Sequence, residues 1–117
     1  MRAQFLVLVS LLMLSVFLSG CAQNPAGNMT ETEKYEQSLV DACVNECKIA
    51  KATARNLESG PCLLDPLSQN KSWVCDVAHE PRESVDGLAE NQCQAFRNQL
   101  ATRFIEVTPD CEFLRKW

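Results

Sequence analysis

The chain has 117 residues, seven of them cysteine, with 11 Lys and Arg against 15 Asp and Glu and a formal net charge of −4. This length suits one domain with a thin core and not two. The charges are interspersed and net acidic, which leaves no basic stripe for nucleic acid and no electrostatic pull toward anionic lipid.

Met1-Arg2-Ala3-Gln4 is a short, positively charged start, and Phe5–Leu18 is apolar except for Ser10 and Ser15. That run fits the roughly 7–15 residues of a signal-peptide core and falls short of the ~20 needed to span a bilayer. Leu18-Ser19-Gly20-Cys21 follows and resembles the lipobox of prokaryotic lipoproteins. The resemblance implies cleavage after residue 20, a diacylglyceryl thioether on Cys21 and localisation at the extracytoplasmic face of a membrane. An uncleaved N-terminal anchor and ordinary cleavage that leaves a bare Cys21 are the plainer alternatives. Residues 1–20 are thus expected to be a signal peptide, 21–29 a flexible lipid-anchored tether, and 30–117 a single disulfide-rich domain.

Thr30-Glu31-Thr32-Glu33 has the form of a capping box, and its acids suit the positive end of a helix dipole. Tyr35, Leu39, Cys43, Cys47, Ala50, Ala54 and Leu57 then recur at steps of three and four, the apolar stripe of an amphipathic helix. The spacing predicts a helix over 31–58, stopped by Gly60-Pro61. Residues 62–72 read as a loop. Residues 72–78 alternate, placing Trp73, Cys75 and Val77 on one face of a strand. A short helix is expected within 86–100, where Leu88, Cys93, Phe96 and Leu100 nearly share a face. A second strand is expected over 103–108, after which Phe113, Leu114 and Trp117 fold back. Trp73 and Trp117 are both assigned to the core, which needs its bulky residues, although termini fray. The expected fold is α+β: a long N-terminal amphipathic helix packed on a small antiparallel sheet, stapled by three disulfides.

With Cys21 set aside, Cys43, Cys47, Cys62, Cys75, Cys93 and Cys111 form an even set in a small exported domain, the signature of a disulfide framework. There is no Cys-x-x-Cys pair to suggest zinc, haem or a redox centre, and no cofactor is expected. Six cysteines allow fifteen pairings. Cys43 and Cys47 lie one helical turn apart, with Cβ atoms about 6 Å from each other. A disulfide wants ~3.8 Å, so excluding that bond leaves twelve pairings.

The stretch Trp73-Val74-Cys75-Asp76-Val77-Ala78-His79, with Pro81-Arg82, Val85-Asp86, Glu90-Asn91-Gln92-Cys93, Ala95-Phe96-Arg97, Phe104-Ile105-Glu106-Val107 and Cys111, resembles an uncharacterised family of small exported six-cysteine archaeal proteins. The resemblance implies an archaeal cell surface and the same cysteine framework, and it supplies no activity and no site residues.

His79 is the single histidine. A hydrolase would use it as general base, oriented by Asp76 or Glu80, although a regular strand puts Asp76 and His79 on opposite faces. No Gly-x-Ser-x-Gly turn supplies a nucleophile. Asp76, Arg82, Asp86, Glu90, Asn91 and Arg97 form a dense polar run. They are candidates either for a binding surface or for clamps that satisfy the backbone of an irregular connection. Asn28 and Asn70 match the glycan acceptor triplet. The expected function is that of a non-enzymatic, lipid-anchored surface domain that binds a surface protein or envelope component, with a His79 hydrolase as the alternative.

Overall fold

The computed structural model describes residues 27–117; the signal segment, Cys21 and the tether up to residue 26 lie outside them. Helix α1 spans Glu31–Ala52, and the capping box at its start is formed. The Thr30 amide donates to Glu33 Oε2 at 2.7 Å, and the Glu33 amide to Thr30 Oγ1 at 3.2 Å. Four strands follow: β1 (Cys62–Leu64), β2 (Trp73–Val77), β3 (Arg103–Val107) and β4 (Phe113–Lys116). Between β2 and β3 lie a 3-10 turn at Ser84–Gly87 and the single-turn helix α2 (Gln94–Arg97).

The fold class is α+β with three disulfides, but the sheet is mixed rather than antiparallel. Its order is β1-β2-β3-β4. The outer pairs are antiparallel, whereas β2 and β3 run parallel in the register Trp73↔Arg103 to Val77↔Val107. A parallel pair needs a long crossover, and residues 78–102 provide it. The crossover holds the short helix expected within 86–100 as the single turn Gln94–Arg97. It crosses the second face of the sheet as short pieces, leaving Leu88 and Leu100 exposed.

Helix α1 packs Leu39, Val40, Cys43, Cys47 and Ala50 on the sheet face made by Trp73, Cys75, Val77, Ile105 and Val107. Burying such aliphatic side chains contributes about 1.5–3 kcal/mol each. The second face buries Val74 against Cys93, Ala95 and Ala101, with Phe96 and Phe104 partly buried beside them. Cys43–Cys75 ties α1 to β2, Cys47–Cys111 ties α1 to the turn before β4, and Cys62–Cys93 ties β1 to the crossover. Cα separations are 5.5, 5.5 and 5.0 Å.

The helix ends earlier than its apolar stripe suggests. The Arg55 amide donates to the Ala50 carbonyl and the Ala54 amide to that of Lys51. This is a Schellman stop with Ala54 at φ 59 in the left-handed position. Leu57 is buried from outside the helix, and Gly60, expected as the cap, lies eight residues further on with another task. Trp73 is in the core and Trp117 is not, being 71% exposed.

Candidate functional site

Polar residues gather on the crossover side of the sheet, in two connected groups. The first is built around Asp86, which is 2% exposed. Its Oδ2 accepts the backbone amides of His79 at 3.1 Å and Glu83 at 2.8 Å, and its Oδ1 lies 2.8 Å from His79 Nδ1. Gly60 sits against this carboxylate. A Cβ there would lie 2.8 Å from Asp86 Oδ1, and the backbone is at φ +65. The glycine is thus required twice, for space and for conformation.

The other ring nitrogen of His79, Nε2, is 3.5 Å from Glu58 Oε2. The hydrogen bond to Asp86 raises the His79 pKa against the opposing effect of burial. For Asp86, burial pushes upward, but the Glu83 amide and the His79 ring and amide outweigh it and hold the carboxyl below its ordinary range. The ring is therefore oriented by Asp86 and Glu58, not by Asp76 or Glu80 as expected. Asp76 makes no hydrogen bond to the ring and lines the neighbouring cleft instead, and Glu80 pairs with Arg115 at 3.2 Å. None of the ring's hydrogen bonds reaches a hydroxyl or thiol nucleophile. The arrangement holds the start of the crossover and behaves as a clasp.

The second group lines a cleft of about 140 Å³ between the sheet and the crossover. Val74, Cys93, Phe96 and Phe104 form its apolar wall; Asp76, Glu106, Arg82 and Gln92 form its polar end. Asp76 and Glu106 are register partners on the parallel strands β2 and β3, so both carboxyls emerge on the same face. Glu106 is 4% exposed and held between two arginines. Arg82 Nη1 lies 3.1 Å from Oε1, and Arg115 Nε lies 2.6 Å from Oε2 as an ion pair without hydrogen-bond alignment. Asp76 has no such neutralisation. Its Oδ1 is buried without a hydrogen-bond partner. Burial, and then the charge of Glu106, push its pKa up to about 7. A buried acceptor without a donor costs ~1–3 kcal/mol, and a small ligand carrying an N–H or O–H would supply that donor.

The rest of the polar run divides plainly. Asn91 Nδ2 donates to the Val85 carbonyl at 2.9 Å and Arg97 Nη1 to that of Ala89 at 3.2 Å, so both are clamps on the crossover backbone. Glu90 is exposed and makes no hydrogen bond with the described residues. Of the run, only Asp76 and Arg82 line the cleft. Sequence reasoning missed Asp65, whose two oxygens accept the Gln94 and Ala95 amides at 2.7 Å each and cap α2 from outside. It also missed Glu58, in the turn after α1, which carries no periodic signal. It missed Glu106 and Arg115 as well, whose signal is alternation on β3 and β4, readable only once β4 is recognised as a strand. Asn70 has its amide engaged: Oδ1 accepts the Ser72 amide, and Nδ2 donates to the Tyr35 hydroxyl. Asn28 is exposed.

Cys62, Asp65 and Cys93 come within ligating distance of one another. The two sulfurs are bonded to each other and the carboxylate is committed to α2, so the trio is structural. Among the described residues no helix is long and apolar enough to cross a membrane. No protein-family model, curated protein or solved structure matches the chain.

Proposed function

We propose that the protein is a lipid-anchored extracytoplasmic binding domain, tethered through Cys21 and presenting the Asp76–Glu106 cleft to a small ligand or to a side chain of an envelope component. One observation carries the anchoring. The three disulfides use every cysteine of the domain, so Cys21, placed after Leu18-Ser19-Gly20, is the cysteine left for modification. A framework of this kind suits an oxidising compartment, and a diacyl anchor meets the two-chain requirement for stable membrane attachment. Support for a binding role comes from the buried, donor-less oxygen of Asp76 beside an apolar wall.

The test is an intact mass of the protein extracted from membranes, taken before and after reduction. The expected mass starts at Cys21, is heavier by a diacylglyceryl group, and gains six hydrogens on reduction. A mass that retains residues 1–20, or an unmodified Cys21, overturns the anchor; free thiols before reduction overturn the framework.

A further inference from the structure

Several elements meet at one end of the domain: the start of α1, the start of β3 and the end of β4. Glu36 contacts Arg103 at 3.3 Å and Lys116 at 2.6 Å, and the Tyr35 hydroxyl meets Asn70. The chain arrives from Cys21 at this same end, where α1 begins at Glu31. Two large apolar side chains stand out from it, Trp117 at 71% and Leu100 at 75% exposed, the highest values among the large hydrophobics.

Neither exposure comes from a frayed segment. Trp117 exchanges both backbone hydrogen bonds with Phe104, at 3.0 and 2.9 Å, and its ring stacks on Phe104 with centroids 6.1 Å apart. Leu100 follows Gln99, which holds φ 60. Its amide donates to the Ala95 carbonyl and the Gln99 amide to that of Phe96, forming the Schellman stop of α2. In that motif the residue at the position of Leu100 usually packs back on its helix. Here it is turned outward. Beside Trp117 lies an open groove whose lining mixes Phe96 and Ala101 with Gln92, Arg97, Gln99 and Thr102.

We propose that this end is a membrane-seating face, with Trp117 and Leu100 entering the headgroup region of the bilayer that carries the anchor. The inference rests on the lipid-anchored reading. The residues from Cys21 to Thr30, even fully extended, reach only about 30 Å, so this end is the one held near the lipid. Trp is suited to the interface because its ring is apolar and its N–H remains wet, and a Leu beside it adds buried area.

The test uses the full lipidated chain in phosphatidylcholine vesicles whose acyl chains carry bromine, a contact quencher of Trp emission. Trp73 is 2% exposed and serves as the internal reference. The expected result is co-flotation with vesicles and loss of about half the emission, the share of one Trp in two, with bromine near the headgroup more effective than bromine near the chain ends. Trp117→Phe should remove the quenchable fraction and leave flotation intact. Quenching should persist at high salt, since the contact is apolar. Flotation without quenching overturns the seating and leaves the anchor standing. Protection of Trp117 that appears only at high protein density, without quenching, makes a second copy the occupant and also overturns it. Failure to float overturns the anchor reading, and the seating with it.

Discussion

On one face of the sheet, α1 lays a continuous apolar stripe over Trp73, Cys75, Val77, Ile105 and Val107, and two disulfides fasten it there. On the other face, the crossover 78–102 covers Val74 and Phe104 with short pieces, one disulfide and a set of individual hydrogen bonds from Asp65, Asp86, Asn91 and Arg97. The first face is held by area and the second by points. Area is distributed and tolerant of single changes, whereas a structure held by points is only as sound as each bond. The cleft lies on the second face, where the short segments leave space that a helix would have filled.

The largest expected effect separates the two coverings. Replacing Cys43 and Cys75 by Ala removes a bond from the fully buried α1 side and should cost about 3–5 kcal/mol, destabilising all amides together. Replacing Cys62 and Cys93 by Ala should cost about 3 kcal/mol but act locally. Crossover amides should then exchange fast while those of α1 stay protected, as read by hydrogen exchange. Uniform loss of protection in both variants would mean the two faces form one cooperative unit.

Asp86→Ala comes next. It removes the acceptor of two backbone amides and of the His79 ring, and should cost about 2–4 kcal/mol. Its signature is in pH. The folded-state pKa of His79 lies above its ordinary value, so in the wild type the clasp contributes fully below that ordinary value and is lost as pH rises through the raised one. In Asp86→Ala that dependence should shrink, and the ring should titrate lower by NMR. An unchanged titration would assign the His79 shift to Glu58 instead.

The same division decides what the sequence made legible. A period of three and four, from Leu39 to Ala50, reports burial directly, and so does the alternation of Trp73, Cys75 and Val77; both were readable because packing on a continuous surface imposes periodicity. Asp86, Asp65 and Gly60 impose none. Each acts once, on a partner that becomes adjacent only after the chain has folded, so Asp86 looked like one more acid in a polar run. The parallel pairing of β2 and β3 was hidden for the same reason, because the crossover carries no helix long enough to announce it. β1 and β4 are too short for alternation to show. Trp117 was misplaced because composition says that a thin core needs its tryptophans and nothing local says which way a last strand turns.

Asp76→Asn probes the cleft and should act in the opposite sense. With a folded-state pKa near 7 against an ordinary 3.8, Asp76 favours folding below its unfolded pKa, and that contribution is lost as pH rises through about 7. A shift of this size is worth at most about 4 kcal/mol by linkage, and residual solvent contact reduces it to ~2. Asp76→Asn should therefore gain about 2 kcal/mol relative to the wild type between pH 5 and pH 8 in denaturant titrations. An equal pH dependence in both proteins would place solvent or a counter-charge at Oδ1 and remove the donor-less acceptor on which the binding role draws.

The smallest effect tests what the two faces have in common. α1 and α2 both end in a Schellman stop whose left-handed residue is not glycine: Ala54 at φ 59 and Gln99 at φ 60. An L-residue in that position costs ~1–2 kcal/mol, part of which glycine gives back through the greater freedom of its unfolded chain. Ala54→Gly and Gln99→Gly should each stabilise by about 0.5–1 kcal/mol. If area dominates on one face and points on the other, the two gains should appear in different places. Ala54→Gly should raise global stability, because α1 opens only with the whole domain. Gln99→Gly should chiefly slow the local opening of 94–102, seen in hydrogen exchange at Leu100 and Ala101, whose amides both depend on the Ala95 carbonyl.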